Sequence, residues 1–177
     1  MVYCLNSLTG AYSAVIANNY TAATAQATFG SAGVNGIHVR DGTLYFANTG
    51  EGIFAKVPVH EDGTPAGNTN VIARALEDDY YDEFTLRGDF AYLVTGSGNS
   101  VEKVRLDGSG RQTILAGSLN STTLAGPTSV AFGRTERDGD VLYVVTSGGL
   151  AVPVDEGGQE IKVGGQVVAV DLSGCSW

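Results

Sequence analysis

A strand-like segment with a central tyrosine occurs three times along this chain. Each copy is apolar or aromatic and ends on Asn or Thr, which is typical of a buried β-strand that runs into a turn. The three tyrosines lie 47 and then 51 residues apart, and this spacing indicates a structural unit that is repeated along the sequence. The copies are Leu44–Asn48, Ala91–Thr95 and Leu142–Thr146.

Three further strand types surround these copies in a constant order. If the tyrosine strand is type B, an A strand precedes it across a short turn, such as Asp41-Gly42, which is a strong hairpin signal. C and D strands follow it, so the chain has the order CD, ABCD, ABCD, ABC and almost no helix. The A, B and C strands are predicted near residues 35–40, 43–48, 53–59, 82–87, 90–95, 100–106, 128–133, 141–146 and 166–172.

This order predicts an all-β fold, a β-propeller of four-stranded antiparallel blades of which the chain holds about three and a half. The predicted units are a half blade at 1–16, blades at 33–75 and 80–116, and a last blade at 126–172 that lacks its final strand. An insertion at 148–165 interrupts the last blade; it is predicted to be a loop with room for a short strand at 150–154. The alternative is a β-sandwich whose hairpins resemble one another by accident.

A partial propeller would leave apolar blade faces and unpaired strand edges in water. Soluble monomers avoid such surfaces, because they promote association. We therefore expect that the isolated chain is not a closed monomer. The missing blades are expected to come from a longer chain, from a second chain or from self-assembly.

Charge and apolar pattern exclude several kinds of partner. A formal net charge of -9 argues against nucleic acid, whose phosphates need a basic surface, and against anionic membranes. The strongest apolar run, Val141–Val145, is much too short to span a membrane, and the chain shows no signal peptide. Sequons at Asn19 and Asn120 favour a secretory origin for the full-length form. Cys4 and Cys175 fit a bridge, two unpaired thiols, or one thiol whose partner lies in a missing segment.

The connections at one end of the blades are the best place for a binding site. In an antiparallel hairpin the start of strand A and the end of strand B lie at the same end, and the innermost strands line the channel of a propeller. The residues there are small and polar, which suits a pocket, although turn chemistry alone selects the same types. The predicted substrate-binding residues at this mouth are Asn35, Asn48, Thr49, Tyr81, Thr95, Asn99, Thr128 and Thr146.

Few residues in these segments can carry acid–base or nucleophilic chemistry. Asp82 and His38 are the candidate catalytic groups, since both belong to predicted A strands. A packed or simply exposed strand histidine explains His38 better than a catalytic role does. Tyr80 and Tyr81 either form an apolar wall for a ligand or pack at a junction between blades. No Gly-x-Ser-x-Gly nucleophile motif is present.

Two stretches of the sequence resemble a known family. Gly33–Ile37, together with Leu44–Thr49, resembles the senescence marker protein/gluconolactonase family, which includes regucalcin. Leu124–Arg134 resembles the secreted fungal branch of that family, which includes hetero-Diels–Alderases. The resemblance implies a six-bladed propeller and covers only its later blades.

The resemblance also implies ligands for a divalent cation such as calcium or zinc. The lactonases of the family hold the cation at the channel mouth with a Glu, two Asn and an Asp. By resemblance, Asn35 corresponds to an Asn ligand and Asp82 to the Asp ligand, whereas the Glu belongs to an early blade that this sequence lacks. Two oxygen donors fall short of the six or more that a hard cation takes, and Asp82 also fits a solvated acidic run.

The resemblance implies two enzymatic functions, and a non-catalytic one remains open. The first is a [4+2] cyclisation between an o-quinone methide and a terpene alkene in fungal secondary metabolism, with a small hydrophobic metabolite as substrate. This reaction requires no cofactor, but it requires a pocket that positions two reactants and excludes water. The second is metal-dependent lactone hydrolysis, with Asp82 as base or ligand. The third is a propeller fragment that binds a ligand or a protein.

Overall fold

The computed structural model describes residues 1–26, 30–76, 79–109 and 111–174. In these ranges the regular structure consists of β-strands and one 3₁₀ turn at Asn19–Thr21, and the predicted all-β class is confirmed. Cys4 is exposed. Cys175, with which it could form a disulfide bridge, lies outside the described residues, so that prediction stays untested. Across the described ranges no helix has the length and apolar character needed to cross a membrane.

The strands form hairpins and four-stranded antiparallel sheets that follow one another along the chain. The first blade is a hairpin of two strands, and a second short hairpin follows it. These strands are β1 (Val2–Leu5), β2 (Tyr12–Ile16), β3 (Thr24–Gln26) and β4 (Gly30–Ala32). The second blade contains β5 (Val34–Arg40), β6 (Thr43–Asn48), β7 (Ile53–Pro58) and β8 (Asn70–Arg74).

The third and fourth blades repeat this plan. The third blade is complete and contains β9 (Tyr81–Arg87), β10 (Phe90–Thr95), β11 (Ser100–Arg105) and β12 (Thr113–Gly117). The fourth blade has three strands within the described residues, and a small hairpin lies between the last two of them along the chain. In chain order these are β13 (Pro127–Phe132), β14 (Val141–Thr146), the hairpin of β15 (Val154–Glu156) and β16 (Gln159–Ile161), and β17 (Val167–Asp171).

The observed strands follow the predicted order closely. The turn at Asp41-Gly42 has φ of 51° and 68° at its two residues, as a tight hairpin turn of the mirror-image type requires. The short strand predicted at 150–154 is misplaced, because the strand begins at Val154 and pairs with β16. Pro153 precedes it and has no N–H to donate to a sheet. The β3–β4 hairpin was not predicted.

Apolar side chains that alternate along the B strands join successive blades. In β6, Leu44 and Phe46 face the first blade, whereas Tyr45 and Ala47 face the third. In β10, Leu93 faces the second blade, whereas Tyr92 and Val94 face the fourth. Because strand side chains alternate with a period of two, the sheets of the second and third blades are covered on both faces. The A strands β5, β9 and β13 are neighbours at the centre of this arrangement.

Candidate functional site

Each A strand carries a β-bulge at the same end. In β5 two residues, Asn35 and Gly36, lie opposite a single residue of β6, and the register of β9 against β10 shifts in the same way at Asp82 and Glu83. In β13 the extra residue is Thr128. A bulge bends the strand locally and changes the direction of its side chains. Three equivalent bulges therefore present Asn35, Asp82 and Thr128 at one end of the blades.

Asn35 and Asp82 are in direct contact across two blades. The Asn35 amide donates hydrogen bonds to Oδ1 of Asp82 and, at 3.2 Å, to Oγ1 of Thr49. The Thr49 hydroxyl donates in turn to the Tyr81 carbonyl at 2.9 Å. Gly36 permits this close approach, because a Cβ at this position would lie 3.1 Å from the Asp82 carbonyl oxygen. The sequence therefore joins two A strands through one hydrogen-bonded polar cluster.

Two adjoining cavities open at this mouth, and Tyr80 and Asp82 line both. The first cavity has a volume of about 230 Å³ and includes Asn35 and Thr49 in its wall. The second has a volume of about 140 Å³ and includes Thr128. The second wall also contains Gly96, Pro127 and Ser147, which lie at the strand starts and ends where the mouth was predicted. The residues of this wall that were not predicted are Gly126, Leu150, Ala151 and Val152. Several of these belong to the insertion at 148–165, whose position directly after a B strand is the signal that could have identified them.

Burial raises the pKa of Asp82 from 3.8 to about 6. The nearby Glu83 charge also raises this pKa, whereas the hydrogen bond from Asn35 lowers it. Because the amide of Asn35 donates to Oδ1, a proton on Asp82 is carried by Oδ2. Near neutral pH this carboxyl group can therefore exchange between acceptor and donor, as functional-site carboxyls often do.

Removing the amide of Asn35 should raise the pKa of Asp82 further. In an Asn35→Ala variant the carboxylate loses its hydrogen-bond donor, so we expect the pKa to move from about 6 toward about 7. A pH titration of the side-chain carboxyl ¹³C resonance measures this value. Asn70→Ala is the matched control, since the Asn70 amide donates only locally to the Asn68 carbonyl. An Asp82 pKa that is equal in the Asn35→Ala and Asn70→Ala variants would contradict the proposed contact.

Several predicted residues lie at the same end but hold the backbone together. The Asn48 amide donates to the carbonyls of Tyr20 and Ala22, both at 2.9 Å. The Thr95 hydroxyl pairs with Ser100, and Thr146 accepts from the Gln166 backbone at 3.1 Å. All three are buried.

Asn99 has a similar structural position. Its amide donates to the Ser97 and Leu119 carbonyls, at 3.2 and 2.7 Å, and its oxygen accepts from the Gly126 backbone. It adopts a positive φ of 51°, which Asn tolerates better than most residues. The walls of the two mouth cavities contain none of Asn48, Thr95, Asn99 and Thr146. Their residue types are therefore explained by the turns that they stabilise.

The two neighbouring tyrosines face different surroundings. Tyr80 lines both mouth cavities, and burial raises the pKa of its hydroxyl. Tyr81 is fully buried between the second and third blades, where its hydroxyl donates to Oε2 of Glu102 at 2.8 Å. The apolar wall predicted for this pair is therefore provided by Tyr80 alone.

His38 lies on β5 away from the two cavities. Its Nε2 is 3.3 Å from Oε1 of Glu83, and its ring packs edge-on against Phe84 with 4.8 Å between centroids. These contacts place it on the inner surface of the blades, beside the cluster rather than within it. Histidine in this position can orient Glu83, but it does not touch either mouth cavity.

The residues at the mouth do not by themselves form a site for a divalent cation. Asn35 and Asp82, the two predicted ligands, are hydrogen-bonded to each other. Among the described residues no group of three or more His, Cys, Asp and Glu side chains is arranged to hold a metal ion. Since hard cations take six or more oxygens, we derive no reaction step through a metal.

Comparison with known proteins gives sequence relatives that match nearly the whole of this chain. No protein-family model matches the chain. A curated protein of Phoma sp, named "Putative hetero-Diels-Alderase", is 30% identical to it over 165 residues, which are 93% of this chain and 46% of that protein. The chain thus spans about half the length of this relative.

Two solved structures share the fold. A luciferin-regenerating enzyme has a TM-score of 0.60 and 18% identity, with 80% of this chain and 45% of that chain covered. A "putative 6-phosphogluconolactonase" from Bacteroides uniformis has a TM-score of 0.59 and 18% identity, with 94% and 50% covered. The resemblance predicted from the sequence is confirmed: the chain is similar to a protein named "Putative hetero-Diels-Alderase", and it folds into the antiparallel blades of a β-propeller. Within the described residues two of these blades have four strands.

Proposed function

We propose that this protein catalyses a [4+2] cyclisation between an o-quinone methide and a terpene alkene, with the reactants held at the mouth. The observation that carries the proposal is the similarity to the Phoma sp protein along 93% of the chain. Because the chain covers less than half of that relative, the activity is proposed for the complete protein.

The reaction places modest chemical demands on the protein. The o-quinone methide contributes its conjugated C=C–C=O system and the alkene contributes one C=C bond. One C–C bond and one C–O bond form, the six π electrons rearrange, and no group or proton leaves. Catalysis therefore consists of holding the two reactants in contact and excluding water, which would otherwise add to the methide.

The two mouth cavities suit two reactants. They adjoin at Tyr80 and Asp82, and their volumes are about 230 and 140 Å³. The smaller one is lined by apolar residues of the insertion, Leu150, Ala151 and Val152, which fit an alkene. The larger one contains the polar pair Asn35 and Asp82, which fits the methide oxygen.

In this proposal Asp82 donates a hydrogen bond to the carbonyl oxygen of the o-quinone methide. The interaction draws electrons from the conjugated system and makes it more reactive toward an alkene. Its strength increases as negative charge develops on that oxygen, so it favours the transition state over the ground state. Asn35 is the positioning residue, because its amide holds Oδ1 and leaves Oδ2 for the proton.

The test follows the rate and the stereochemistry of the cycloadduct. With the complete protein, an o-quinone methide generated in solution and a terpene alkene, we expect an enantiomerically enriched product and a rate that rises as the pH falls through about 6. Asp82→Leu should reduce the rate by about 100-fold. Asp82→Asn keeps a donor and should retain more activity, without the pH dependence.

The competing results have separate meanings. A racemic product formed at the background rate would contradict the cyclase proposal and favour a non-catalytic binding protein. Enrichment that is insensitive to Asp82 would retain the reaction but remove the proposed role of this residue. Glu160→Gln, a change at an exposed acid on the β15–β16 hairpin, serves as the control for a general effect of charge.

The second candidate is a metal-dependent lactonase, which is supported by the position of Asn35 and Asp82 in the wall of the same mouth cavity. It requires further oxygen ligands from the rest of the complete protein. Calorimetric titration of that protein with Ca²⁺ and Zn²⁺ separates the candidates. Saturable binding that Asp82→Asn removes, together with metal-dependent lactone hydrolysis, would support the lactonase over the cyclase.

A further inference from the structure

A third cavity lies outside the mouth, in the cleft between the second and third blades. Its volume is about 380 Å³, within the usual range for small-molecule sites. Leu76 and Asp79 line it from the connection between these blades, and β11 and β12 contribute Glu102 and Ile114. Asp79 and Tyr80 are adjacent in sequence, so a single segment separates this cleft from the mouth.

The floor of the cleft holds a buried carboxyl group. Glu102 has 2% of its surface exposed. Its Oε2 accepts hydrogen bonds from the Tyr81 hydroxyl at 2.8 Å and from the Gln112 amide, and Gln112 also donates to the Tyr81 hydroxyl at 2.7 Å. Both donors to the carboxylate are neutral, so the network orients the carboxylate without balancing its charge.

The carboxyl group occupies a position that is apolar in the other blades. Glu102 pairs with Leu93, and the corresponding pairs are Phe46 with Ala55 in the second blade and Val144 with Val168 in the fourth. A buried carboxylate costs free energy that Ala or Val does not. The third blade therefore carries a specific polar feature that the repeat does not require for folding.

A second acid and an apolar rim complete the cleft. Asp79 is fixed at its wall, since its Oδ1 accepts from the backbone and hydroxyl of Ser97 at 3.0 and 2.6 Å. Gly98 is needed there, because a Cβ would lie 2.3 Å from Oδ2 of Asp79. Leu76, Ile114 and Leu119 form an exposed apolar rim.

The described residues that line the cleft include the acids Asp79 and Glu102 and no Lys, Arg or His, so their charge is negative. We propose that this cleft binds a small organic ammonium ion that carries a short apolar chain. The ammonium group lies between Glu102 and Asp79 and balances the buried charge, and the chain covers Leu76, Ile114 and Leu119. Burial and the nearby Asp79 charge raise the pKa of Glu102, and a bound cation would oppose that shift. This site is separate from the proposed cyclisation at the mouth.

The probe is hexylammonium chloride, with 1-hexanol as its neutral analogue. Titration of the complete protein, followed by the methyl ¹³C resonances of Leu76, Ile114 and Leu119, should show saturable binding of the ammonium ion. Hexanol should bind at least about tenfold more weakly, because it lacks the charge. The backbone amides of Asn35 and Thr128, at the mouth, should not shift at the same concentrations.

Glu102→Gln tests the carboxylate itself. It should weaken hexylammonium binding by at least about tenfold and leave hexanol binding unchanged. Glu160→Gln makes the same chemical change at an exposed position and should have no effect. A two-dimensional NMR spectrum must show that Glu102→Gln is folded, and Asp79→Asn provides a second test should it not be. Equal affinities for the ammonium ion and the alcohol, or shifts confined to the mouth, would overturn the proposal.

Discussion

Replacing Phe84 with alanine should lower the free energy of unfolding by about 3–5 kcal/mol. Phe84 is fully buried between the second and third blades. Its ring packs edge-on against both Phe54 and His38, with 4.8 Å between centroids in each case. The substitution removes these aromatic contacts and leaves a cavity that two rigid sheets can close only in part. Urea denaturation at equilibrium measures the loss.

The repeat itself provides the control. Ile37 is the equivalent position in the second blade, because it pairs with Phe46 as Phe84 pairs with Leu93. It is 43% exposed, since no A strand of the first blade lies against it within the described residues. Ile37→Ala should therefore cost less than about 1 kcal/mol. Similar losses for the two variants would contradict the packing of the second blade on the third.

The strand order could be predicted from the sequence because each repeat contains two independent signals for its strands. The alternation of apolar residues around Tyr45, Tyr92 and Tyr143 marks the buried strands, and turns such as Asp41-Gly42 mark their ends. Both signals are local, so one sequence is sufficient to detect them. The β3–β4 hairpin was missed because its strands are three residues each and lack an apolar pattern.

The mouth was harder to predict because the bulges decide which side chains face it. One extra residue in a strand moves every side chain beyond it to the opposite face of the sheet. In β9 the bulge at Asp82 and Glu83 turns Tyr81 into the interface between blades, and Tyr80 lines the cavities instead. The geometry of neighbouring strands determines where a bulge forms. Similarly, Asn48 and Asn99 have residue types that are common in binding sites, but they hydrogen-bond to the backbone. Only their partners in the structure distinguish a binding role from a structural one.

The outer face of the fourth blade should cause the isolated chain to associate. Tyr143, Val145 and Val167 lie on this face, and Val167 is 70% exposed. Their equivalents in the second and third blades are buried against the following blade: Tyr45 and Tyr92, Ala47 and Val94, and Phe54 and Val101. Leaving such a face in water costs about 25 cal/mol for each Å² of apolar surface, so another sheet should cover it.

For the isolated chain we propose that this sheet is the first blade of a second copy. Val2 and Ile16 of the first blade pack on the second blade, which leaves Tyr3, Leu5 and Tyr12 exposed on the opposite face. In the repeat, this is the face that a blade packs against the blade before it. The first blade of one copy can therefore cover the fourth blade of another, which gives a head-to-tail contact that is apolar on both sides.

Sedimentation velocity over a range of concentrations should therefore give a mass above the 18.3 kDa of one chain. Val145→Lys combined with Val167→Lys places two charges in the apolar contact, and it should shift the distribution toward the monomer. Leu76→Lys and Leu119→Lys, at exposed positions away from both faces of this contact, should leave it unchanged. The two substitutions act on one contact, so their joint effect should exceed that of either alone. A compact, stable monomer at every concentration would contradict the proposed contact, because the exposed face would then be tolerated in water without a partner.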